Sequence, residues 1–425
     1  MKFNNSQKMH TKIALAIFAY CVGFILFAKE SPFAKEIPSE IQGYQLKVAN
    51  GHVIIPNGVT RIRTETFRNC MSLKSVEIPS SVQSIGDKAF WRCESLTSII
   101  IPRGVKNIGS SAFEHCESLD SVTIPDSVTE IGEGAFWGCD SLANVRIDDG
   151  PQNLIIGDNA FTCCDSLISI LLPSRVLSIG DEAFSFNSSL KEVTLMNGLR
   201  NIGKKAFHKC RSLCYINIPE GVEIIEEGVF EECEKLKNVT LASTVTNVGN
   251  KAFYGCKSLS SIEFPANLKK IGDFAFCGCH QITKVKIPYG VKEIPIGAFA
   301  VCNELKTVIL PSSIKYIGKG AFYSCKSLGD ITIPSSVTDI AEEAFWSSGS
   351  LYKIFTNRGN ASRLWELLTK PDNRLDWSIK QGDLEIVEMD LADCSNIKCA
   401  DCKGTGLIDG ALCTNCKGYG KELIK

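Results

Sequence analysis

Four cysteines near the C-terminus carry the clearest chemical signal in the chain. Cys399 and Cys402 form one Cys-x-x-Cys pair, and Cys413 and Cys416 form a second. Each pair is followed by Lys-Gly-x-Gly, whose glycines let the backbone turn tightly. Four thiolates are the ligand set that a structural zinc ion prefers, so we predict one structural zinc here. Two disulfides in an oxidising compartment, or thiol–disulfide exchange, are the alternatives that this spacing leaves open.

The two motifs, with "LIDGAL" between them, resemble half of the cysteine-rich zinc domain of DnaJ. That family carries four Cys-x-x-Cys-x-Gly-x-Gly motifs for two zinc ions, whereas two motifs suffice for one ion. The resemblance spans about 22 residues, Cys399 to Gly420. It does not extend to a co-chaperone role, because the sequence contains no His-Pro-Asp tripeptide.

The remaining residue types give no sign of catalysis. The five histidines stand apart, without metal-binding spacing between any two of them: His10, His52, His115, His208 and His280. The sequence contains no Gly-x-Ser-x-Gly, phosphate-binding loop or His-Glu-x-x-His. We therefore predict that the protein is not an enzyme.

The residues that must position any site follow a strict repeat. Phenylalanine recurs every 23 residues, except for one step of 25 where "DDGPQN" adds two residues. A fixed period of this size is typical of a solenoid, in which each repeat forms one coil. The thirteen repeating phenylalanines are Phe67, Phe90, Phe113, Phe136, Phe161, Phe184, Phe207, Phe230, Phe253, Phe276, Phe299, Phe322 and Phe345.

Each repeat unit predicts one short strand and a return. Six residues after the phenylalanine comes a leucine, and then apolar residues at alternate positions such as Val76 and Ile78. This alternation indicates a strand with one face inward, which a proline such as Pro79 ends. An Ile-Gly pair and a stretch such as "DKAF" follow, where we expect a tight return and a turn or short helical segment. The predicted fold class is α/β, a leucine-rich repeat solenoid of 23-residue coils with parallel strands on one face.

The consensus "LxxVxIPxxVxxIGxxAFxxC" resembles the BspA-type, or Treponema-type, leucine-rich repeat. The resemblance runs from Tyr44 to about Thr356. It implies a surface-exposed or secreted protein that takes part in adhesion or partner binding. Fold alone does not decide function, however, so these remain expectations.

Eleven of the thirteen units place a cysteine three residues after the phenylalanine. A regular column favours small, buried packing residues over a disulfide framework, whose spacings are irregular. Asn187 and Ser348 replace it in two units, which suits a turn position that needs a hydrogen bond. A ladder of thiols ready to pair is the alternative. The column comprises Cys70, Cys93, Cys116, Cys139, Cys164, Cys210, Cys233, Cys256, Cys279, Cys302 and Cys325.

Aromatic residues directly after the repeating phenylalanine are the candidate binding residues. They are Trp91, Trp137, Tyr254, Tyr323 and Trp346. Exposed aromatics along a rod would suit a protein or glycan partner, although covering the edges of neighbouring coils is the simpler interpretation. Lys and Arg number 46 against 47 Asp and Glu, so no net charge favours nucleic acid or an anionic membrane.

The chain begins like an exported protein. Lys2, Lys8 and Lys12 precede an uncharged, mostly apolar run over 13–28, which predicts a signal peptide ending near residue 28 or an uncleaved signal anchor. The second case is the only membrane contact we expect. At the other end, "NASRLWELLTK" predicts a capping helix with Asn360 or Ser362 as N-cap, and "LDWSIKQGDLEIVEMD" an edge strand.

The predicted organisation has five parts. Residues 1–28 are the signal, 29–66 a linker and N-terminal cap repeat, 67–356 the solenoid, 357–393 the C-terminal cap and 394–425 the zinc knuckle. We predict a secreted or cell-surface, non-enzymatic rod that binds a protein or glycan. A redox or chaperone-like protein acting through the C-terminal Cys-x-x-Cys motifs is the alternative, and a purely structural envelope protein is a third. The sequence does not indicate an oligomeric state.

Overall fold

The computed structural model describes residues 35–36, 38, 40–41, 44–369 and 384–389, together with the backbone at 407–408 and 411–412. Over this range the chain winds as a series of parallel strands and turns, one coil per 23 residues. The predicted solenoid of about thirteen coils is confirmed. The architecture is mostly strand, with little helix.

One strand of each coil lies in a parallel array that we call the long-strand face. The register of this array advances by one repeat per strand, as in Val76 beside Ile99 and Val122 beside Val145. Inward residues are buried and the residues between them are exposed, as the alternation predicts. The array comprises an eleven-stranded and a five-stranded sheet: Lys47–Ala49, His52–Ile54, Ser75–Glu77, Ser98–Ile99, Ser121–Ile124, Asn144–Ile147, Ser169–Leu172, Glu192–Leu195, Tyr215–Asn217, Asn238–Thr240 and Ser261–Ile262; then Lys284–Lys286, Thr307–Ile309, Asp330–Thr332, Lys353–Asn357 and Glu385–Met389.

A second parallel array, the short-strand face, was not predicted. Its strands are mostly two residues long and end at the isoleucine of the Ile-Gly pair. Two residues are too few for an alternation pattern to show in the sequence. The array comprises three sheets: Arg61–Ile62, Ser84–Ile85, Asn107–Ile108, Glu130–Ile131, Leu154–Ile156, Val176–Ile179 and Asn201–Ile202; Ile224–Ile225, Asn247–Val248 and Lys270–Ile271; Glu293–Ile294, Tyr316–Ile317 and Asp339–Ile340.

The third side of each coil consists of turns, where the sequence allowed a helical segment. Backbone N–H groups at alternate residues donate to the next coil, for example from Phe67 to the Ala89 carbonyl oxygen at 2.7 Å. This pattern requires left-handed backbone two residues before and two residues after each phenylalanine, as at Lys88 and Arg92. The residues between them donate within the segment to the carbonyl oxygen three residues back, as from Cys93 to Phe90 at 3.1 Å, and no run of bonds from residue i to residue i−4 forms, so the segment is a series of turns and not an α-helix.

Stacked phenylalanines form the centre of the core. Successive rings lie 5.0–5.8 Å apart between centroids and are nearly parallel, at 3–17°. All but the last are completely or almost completely inaccessible to solvent. Offset stacking of this kind contributes beyond apolar burial, at about 0.5–1.5 kcal/mol per pair.

The glycine of the Ile-Gly pair serves close approach rather than an unusual backbone angle. A Cβ at Gly109 would lie 2.5 Å from the Asp87 nitrogen of the preceding coil, and one at Gly86 would lie 2.6 Å from the Thr64 nitrogen. Contacts this short are not tolerated, so a side chain here would push two coils apart.

The "DDGPQN" insertion lies between Ile147 and Leu154, and the register of both faces shifts from 23 to 25 residues there. The buried Arg175 stabilises it. Its guanidinium donates to the carbonyl oxygens of Asp148 (2.6 Å), Val128 (2.7 Å) and Pro125 (3.0 Å). One side chain thus connects three coils across the insertion.

Both ends of the solenoid are covered. At the front, strand Lys47–Ala49 pairs antiparallel with His52–Ile54, and Glu40–Ile41 pairs antiparallel with Tyr44–Gln45. At the back, helix Ala361–Leu368 buries Leu364 and Leu368, and strand Glu385–Met389 extends the long-strand face.

The helix cap differs from the prediction. Asn360 occupies the N-cap position, but its side-chain amide donates to Thr356 Oγ1 and makes no cap hydrogen bond. Glu388 takes that role instead, because its Oε1 accepts the Ala361 N–H at 2.6 Å. Bonds from this helix N-terminus lower the pKa of the Glu388 carboxyl. A cap from another strand cannot be recognised from local sequence.

Candidate binding face

The predicted zinc ligands Cys399, Cys402, Cys413 and Cys416 lie outside the described residues. Between the two pairs, strands Leu407–Ile408 and Ala411–Leu412 pair antiparallel. The zinc site therefore stays a prediction. Within the described part of the chain, no three His, Cys, Asp or Glu side chains form a group able to hold a metal ion.

The structure places the cysteine column inside the solenoid, at one corner of each coil. In ten coils the thiol donates to the carbonyl oxygen of the preceding coil's phenylalanine, with Sγ–O distances of 3.0–3.3 Å. Cys70, in the first unit, donates to the Glu36 carbonyl oxygen at 3.5 Å. Asn187 and Ser348 make the same bond, to Phe161 (3.0 Å) and Phe322 (2.8 Å). The column is therefore a ladder of side-chain hydrogen bonds.

Burial makes these thiols poor nucleophiles. It raises the pKa of Cys70 to about 11 and that of Cys325 to about 12, and it raises the pKa of Cys93 and Cys233 well above the usual value. Because the thiolate is the reactive form, the column is unsuited to redox chemistry at neutral pH.

The five candidate aromatics lie along the turn side and are all half-buried. Trp91 is covered by two guanidinium groups, with the Arg68 and Arg92 carbons 4.9 Å and 5.4 Å from its ring centroid. Tyr323 and Trp346 meet edge to face at 5.4 Å. Arg68 and the Tyr323–Trp346 pair make these contacts between neighbouring coils, whereas Arg92 follows Trp91 in the same coil. Of the five, Tyr323 and Trp346 are the pair that the structure brings together.

A different group of apolar side chains is exposed on the long-strand face. Ile168, Leu171, Met196 and Tyr215 lie on three adjacent coils and are exposed by 51%, 53%, 45% and 52%. We call these four residues the apolar patch. Ile100, at 80%, is exposed on the same face three coils away. Exposed apolar residues grouped on adjacent coils of one face are typical of interaction sites, whereas isolated ones are not.

The patch was missed because its members occupy four different positions of the repeat. Reading one repeat position at a time shows only a mixed row, for example Thr123, Arg146, Leu171 and Thr194. Tyr215 lies two strands from Ser169, and Met196 directly follows the strand that contains Thr194. Aligning the repeats and reading across neighbouring coils would have revealed it.

The repeat matches a known family of protein sequences. The sequence profile described as the BspA type leucine-rich repeat region, in six copies, matches residues 44–155, 154–268 and 224–353. The chain belongs to the BspA-type leucine-rich repeat family. Proteins of this family are typically exported or surface-exposed, and their fold is typical of non-enzymatic binding scaffolds.

A solved structure agrees with this assignment. The chain is similar to a leucine-rich repeat protein from Bacteroides ovatus ATCC 8483, with 25% identity over 81% of this chain and 98% of that one, and a TM-score of 0.52. It is also similar in sequence to a leucine rich cell surface protein from Faecalibacterium prausnitzii A2-165, with 26% identity over 80% and 98% of the two chains and a TM-score of 0.39. No curated protein matches the chain.

The described residues include one α-helix, Ala361–Leu368. Among them, no helix has the length and apolar character needed to cross a bilayer. The predicted signal segment, residues 1–28, lies outside this part of the chain.

Proposed function

We propose that this BspA-type protein is an exported, non-enzymatic rod that binds a protein partner at the cell surface through its long-strand face. The observation that carries the proposal is the apolar patch. Its three aliphatic side chains and one tyrosine are exposed on adjacent coils of one face, whereas the core of the described residues buries apolar side chains in regular columns.

The chemistry of the patch favours a protein over a glycan. Ile168, Leu171 and Met196 offer aliphatic surface, and burying it is worth about 25 cal/mol per Å². Tyr215 adds a ring with a polar tip, a residue type enriched at the centre of protein interfaces. A glycan site would instead need exposed flat rings grouped beside polar groups. The five candidate aromatics are half-buried, and the exposed Tyr289 and Tyr352 lie on separate coils away from the patch.

Export is proposed from the sequence of residues 1–28 and from the habit of the family. We also propose that the cysteine column has a structural role, because its thiols are buried and hydrogen-bonded in every coil where they occur. Redox activity through the C-terminal pairs remains the alternative function, and thiol counting tests it.

The test compares two variants that are matched in exposure. Leu171→Asp removes the centre of the apolar patch, whereas Ile155→Asp changes a residue that is 50% exposed on the short-strand face. Wild type and both variants, without residues 1–28, are used to capture proteins from surface extracts of the source cells and of cells sharing their habitat. We expect a protein that Ile155→Asp retains and Leu171→Asp loses by at least tenfold.

Two results would overturn the proposal. Capture that depends equally on both residues would show that exposed apolar surface binds without specificity. Binding to a glycan array that survives Leu171→Asp, with no Leu171-dependent protein, would assign the rod to glycan recognition through another surface.

A further inference from the structure

The short-strand face carries lysines on three successive coils. Lys269, Lys292 and Lys315 occupy the same repeat position and are all exposed. The Lys315 N–H donates to the Lys292 carbonyl oxygen at 2.8 Å, so the backbones of these two lysines are directly adjacent. Neighbouring strands lie about 4.8 Å apart, which sets the spacing of the lysines along the rod. Lys270 adds a fourth exposed ammonium group next to the first, and we call the four residues the lysine row.

The charge of the lysine row is not compensated on its own face. In each of these coils the six residues after the proline form the short-strand face, namely 266–271, 289–294 and 312–317. They carry the four lysines and one carboxylate, Glu293, so their formal charge is 4 − 1 = +3. The corresponding residues of the preceding coil, 243–248, are uncharged, and those of the following coil, 335–340, add one carboxylate, Asp339. Within the described residues, none of the four ammonium groups forms an ion pair.

Two carboxylates at the margin of this face have other partners. Asp273 Oδ1 accepts the Ile296 N–H at 3.1 Å, and Glu342 pairs with Lys319 at 2.8 Å. Like charges that lie opposite each other on neighbouring strands destabilise a sheet. The lysine row therefore costs stability in the free protein, and a ligand with several negative charges would offset that cost.

One aromatic ring and uncharged polar groups lie beside the lysine row. Tyr289 is 46% exposed, and the Lys292 ammonium lies 5.6 Å from its ring centroid. Ser312 occupies the position of Tyr289 in the next coil, and Asn267 lies one position further along in the preceding coil. Both are exposed. Their hydroxyl and amide groups are able to hydrogen-bond to sugar hydroxyl groups, and the tyrosine ring offers a surface for the apolar side of a sugar.

We propose that the lysine row binds a linear acidic polysaccharide, whose sugars carry sulfate or carboxylate groups, lying along the rod. The ammonium groups meet the anionic groups as point charges. Tyr289, Ser312 and Asn267 contact the sugar rings. The site lies on a different face from the apolar patch, so it goes beyond the proposed function and lets the rod hold a glycan and a protein partner together.

Other polyanions fit this surface less well. Single-stranded nucleic acid is held by several aromatic side chains on which successive bases stack, whereas one exposed ring lies beside the lysine row. Polyphosphate would engage the lysines and leave Tyr289 without a sugar to contact. The combination of ammonium, hydroxyl, amide and ring groups favours an anionic sugar polymer.

Titration calorimetry with a heparin octasaccharide, a sulfated glycan, tests the proposal on the chain without residues 1–28. We expect a dissociation constant that rises at least tenfold between 50 mM and 200 mM NaCl, because binding a polyanion releases its counterions. The variant Lys292→Glu/Lys315→Glu should weaken binding at least tenfold at 50 mM NaCl. The matched control, Lys284→Glu/Lys306→Glu, reverses two exposed lysines of the same two coils on the long-strand face and should weaken binding less than threefold.

Tyr289→Ala separates sugar recognition from charge. It should weaken heparin binding at least threefold and leave polyphosphate binding unchanged. Absence of heparin binding at 50 mM NaCl would overturn the proposal, and so would equal losses in the two double variants. Polyphosphate of equal charge binding as tightly as heparin would also overturn it, since the row would then be a general polyanion site.

The proposed function and the polysaccharide site can fail separately. Leu171→Asp should leave heparin binding unchanged, and Lys292→Glu/Lys315→Glu should leave capture of the protein partner unchanged. Ile155 lies on the short-strand face six coils before Lys292 and is not part of the polysaccharide site.

Discussion

Replacing Arg175 tests how the solenoid accommodates the "DDGPQN" insertion. In regular coils this position holds a small residue, and Ser127 donates its hydroxyl to the Val105 carbonyl oxygen at 2.7 Å. Arg175 instead reaches across the inserted coil to Val128 and Pro125. Its side chain is 4% exposed although it carries a charge. Burial lowers the pKa of its guanidinium, while Asp126, Asp149 and Asp148 raise it.

Replacing Arg175 by methionine keeps the aliphatic stem and removes the three strong hydrogen bonds. Hydrogen bonds to charged groups are worth about 1.5–3 kcal/mol each, but the desolvation of the guanidinium offsets part of that sum. We therefore expect the free energy of unfolding to fall by about 3–5 kcal/mol, the range for breaking a buried charged network. Hydrogen exchange should accelerate first in strands Ser121–Ile124 and Asn144–Ile147, because repeat proteins open locally.

The matched rescue deletes Pro151 and Gln152, which restores the 23-residue step, and introduces Arg175→Ser. A serine should then make the bond of the regular coils, so the deletion should recover at least half of the stability that Arg175→Ser alone loses. Urea unfolding followed by circular dichroism measures both effects. This account of the insertion would be refuted if Arg175→Met lowered the free energy of unfolding by less than about 1 kcal/mol. It would also be refuted if the deletion recovered none of the stability that Arg175→Ser loses.

Three further predictions concern the cysteines and Asp140. Cys233→Ala should lower the free energy of unfolding by about 1–2 kcal/mol, because it removes the hydrogen bond to the Phe207 carbonyl oxygen and leaves a small cavity. Cys233→Ser should lower it by less than about 1 kcal/mol, because Ser348 makes the same hydrogen bond in its own coil. Equal losses for the two variants in urea unfolding would contradict the hydrogen-bond ladder. Burial, followed by repulsion from Glu117 and Asp165, raises the pKa of Asp140 on folding above its ordinary value of 3.8 to about 6, so its ionisation destabilises the fold as pH rises from about 4 through 6. Asp140→Asn should thus raise stability at pH 7, by less than about 1 kcal/mol because the side chain is partly exposed, and give no gain near pH 4; a gain that is the same at both pH values would exclude this cause. Purified protein should contain about one zinc per chain. Chelation should release the zinc and expose four reactive thiols, those of Cys399, Cys402, Cys413 and Cys416. A metal-free chain with these cysteines in reducible disulfides would favour the redox alternative.

The repeat made most of the fold predictable from sequence. A 23-residue period with apolar residues at fixed positions can be buried only by stacking, so the coils, the phenylalanine column and the long-strand face follow from Phe67, Leu73 and Val76 and their equivalents. The sequence predicts that the column cysteines are packing residues, because Asn187 and Ser348 replace cysteine in two units. The bond to the preceding phenylalanine carbonyl oxygen could not, since it joins residues 26 apart.

The features that escaped prediction all depend on contacts between coils. The strands of the short-strand face are too short to alternate, and the glycine of the Ile-Gly pair is required by the backbone of the preceding coil. Arg175 and Glu388 act on residues more than 20 positions away. The apolar patch combines four repeat positions. Each becomes visible only when neighbouring repeats are read side by side.

Binding through the long-strand face is the central claim, and photocrosslinking tests it most directly. A photoreactive phenylalanine analogue is placed at position 171 in the apolar patch or at position 155 on the short-strand face, and the chain is irradiated on the surface of the cells that export it. The account predicts a covalent adduct with a second protein from position 171 and none from position 155. Adducts from position 155 alone, or from neither position, would contradict it.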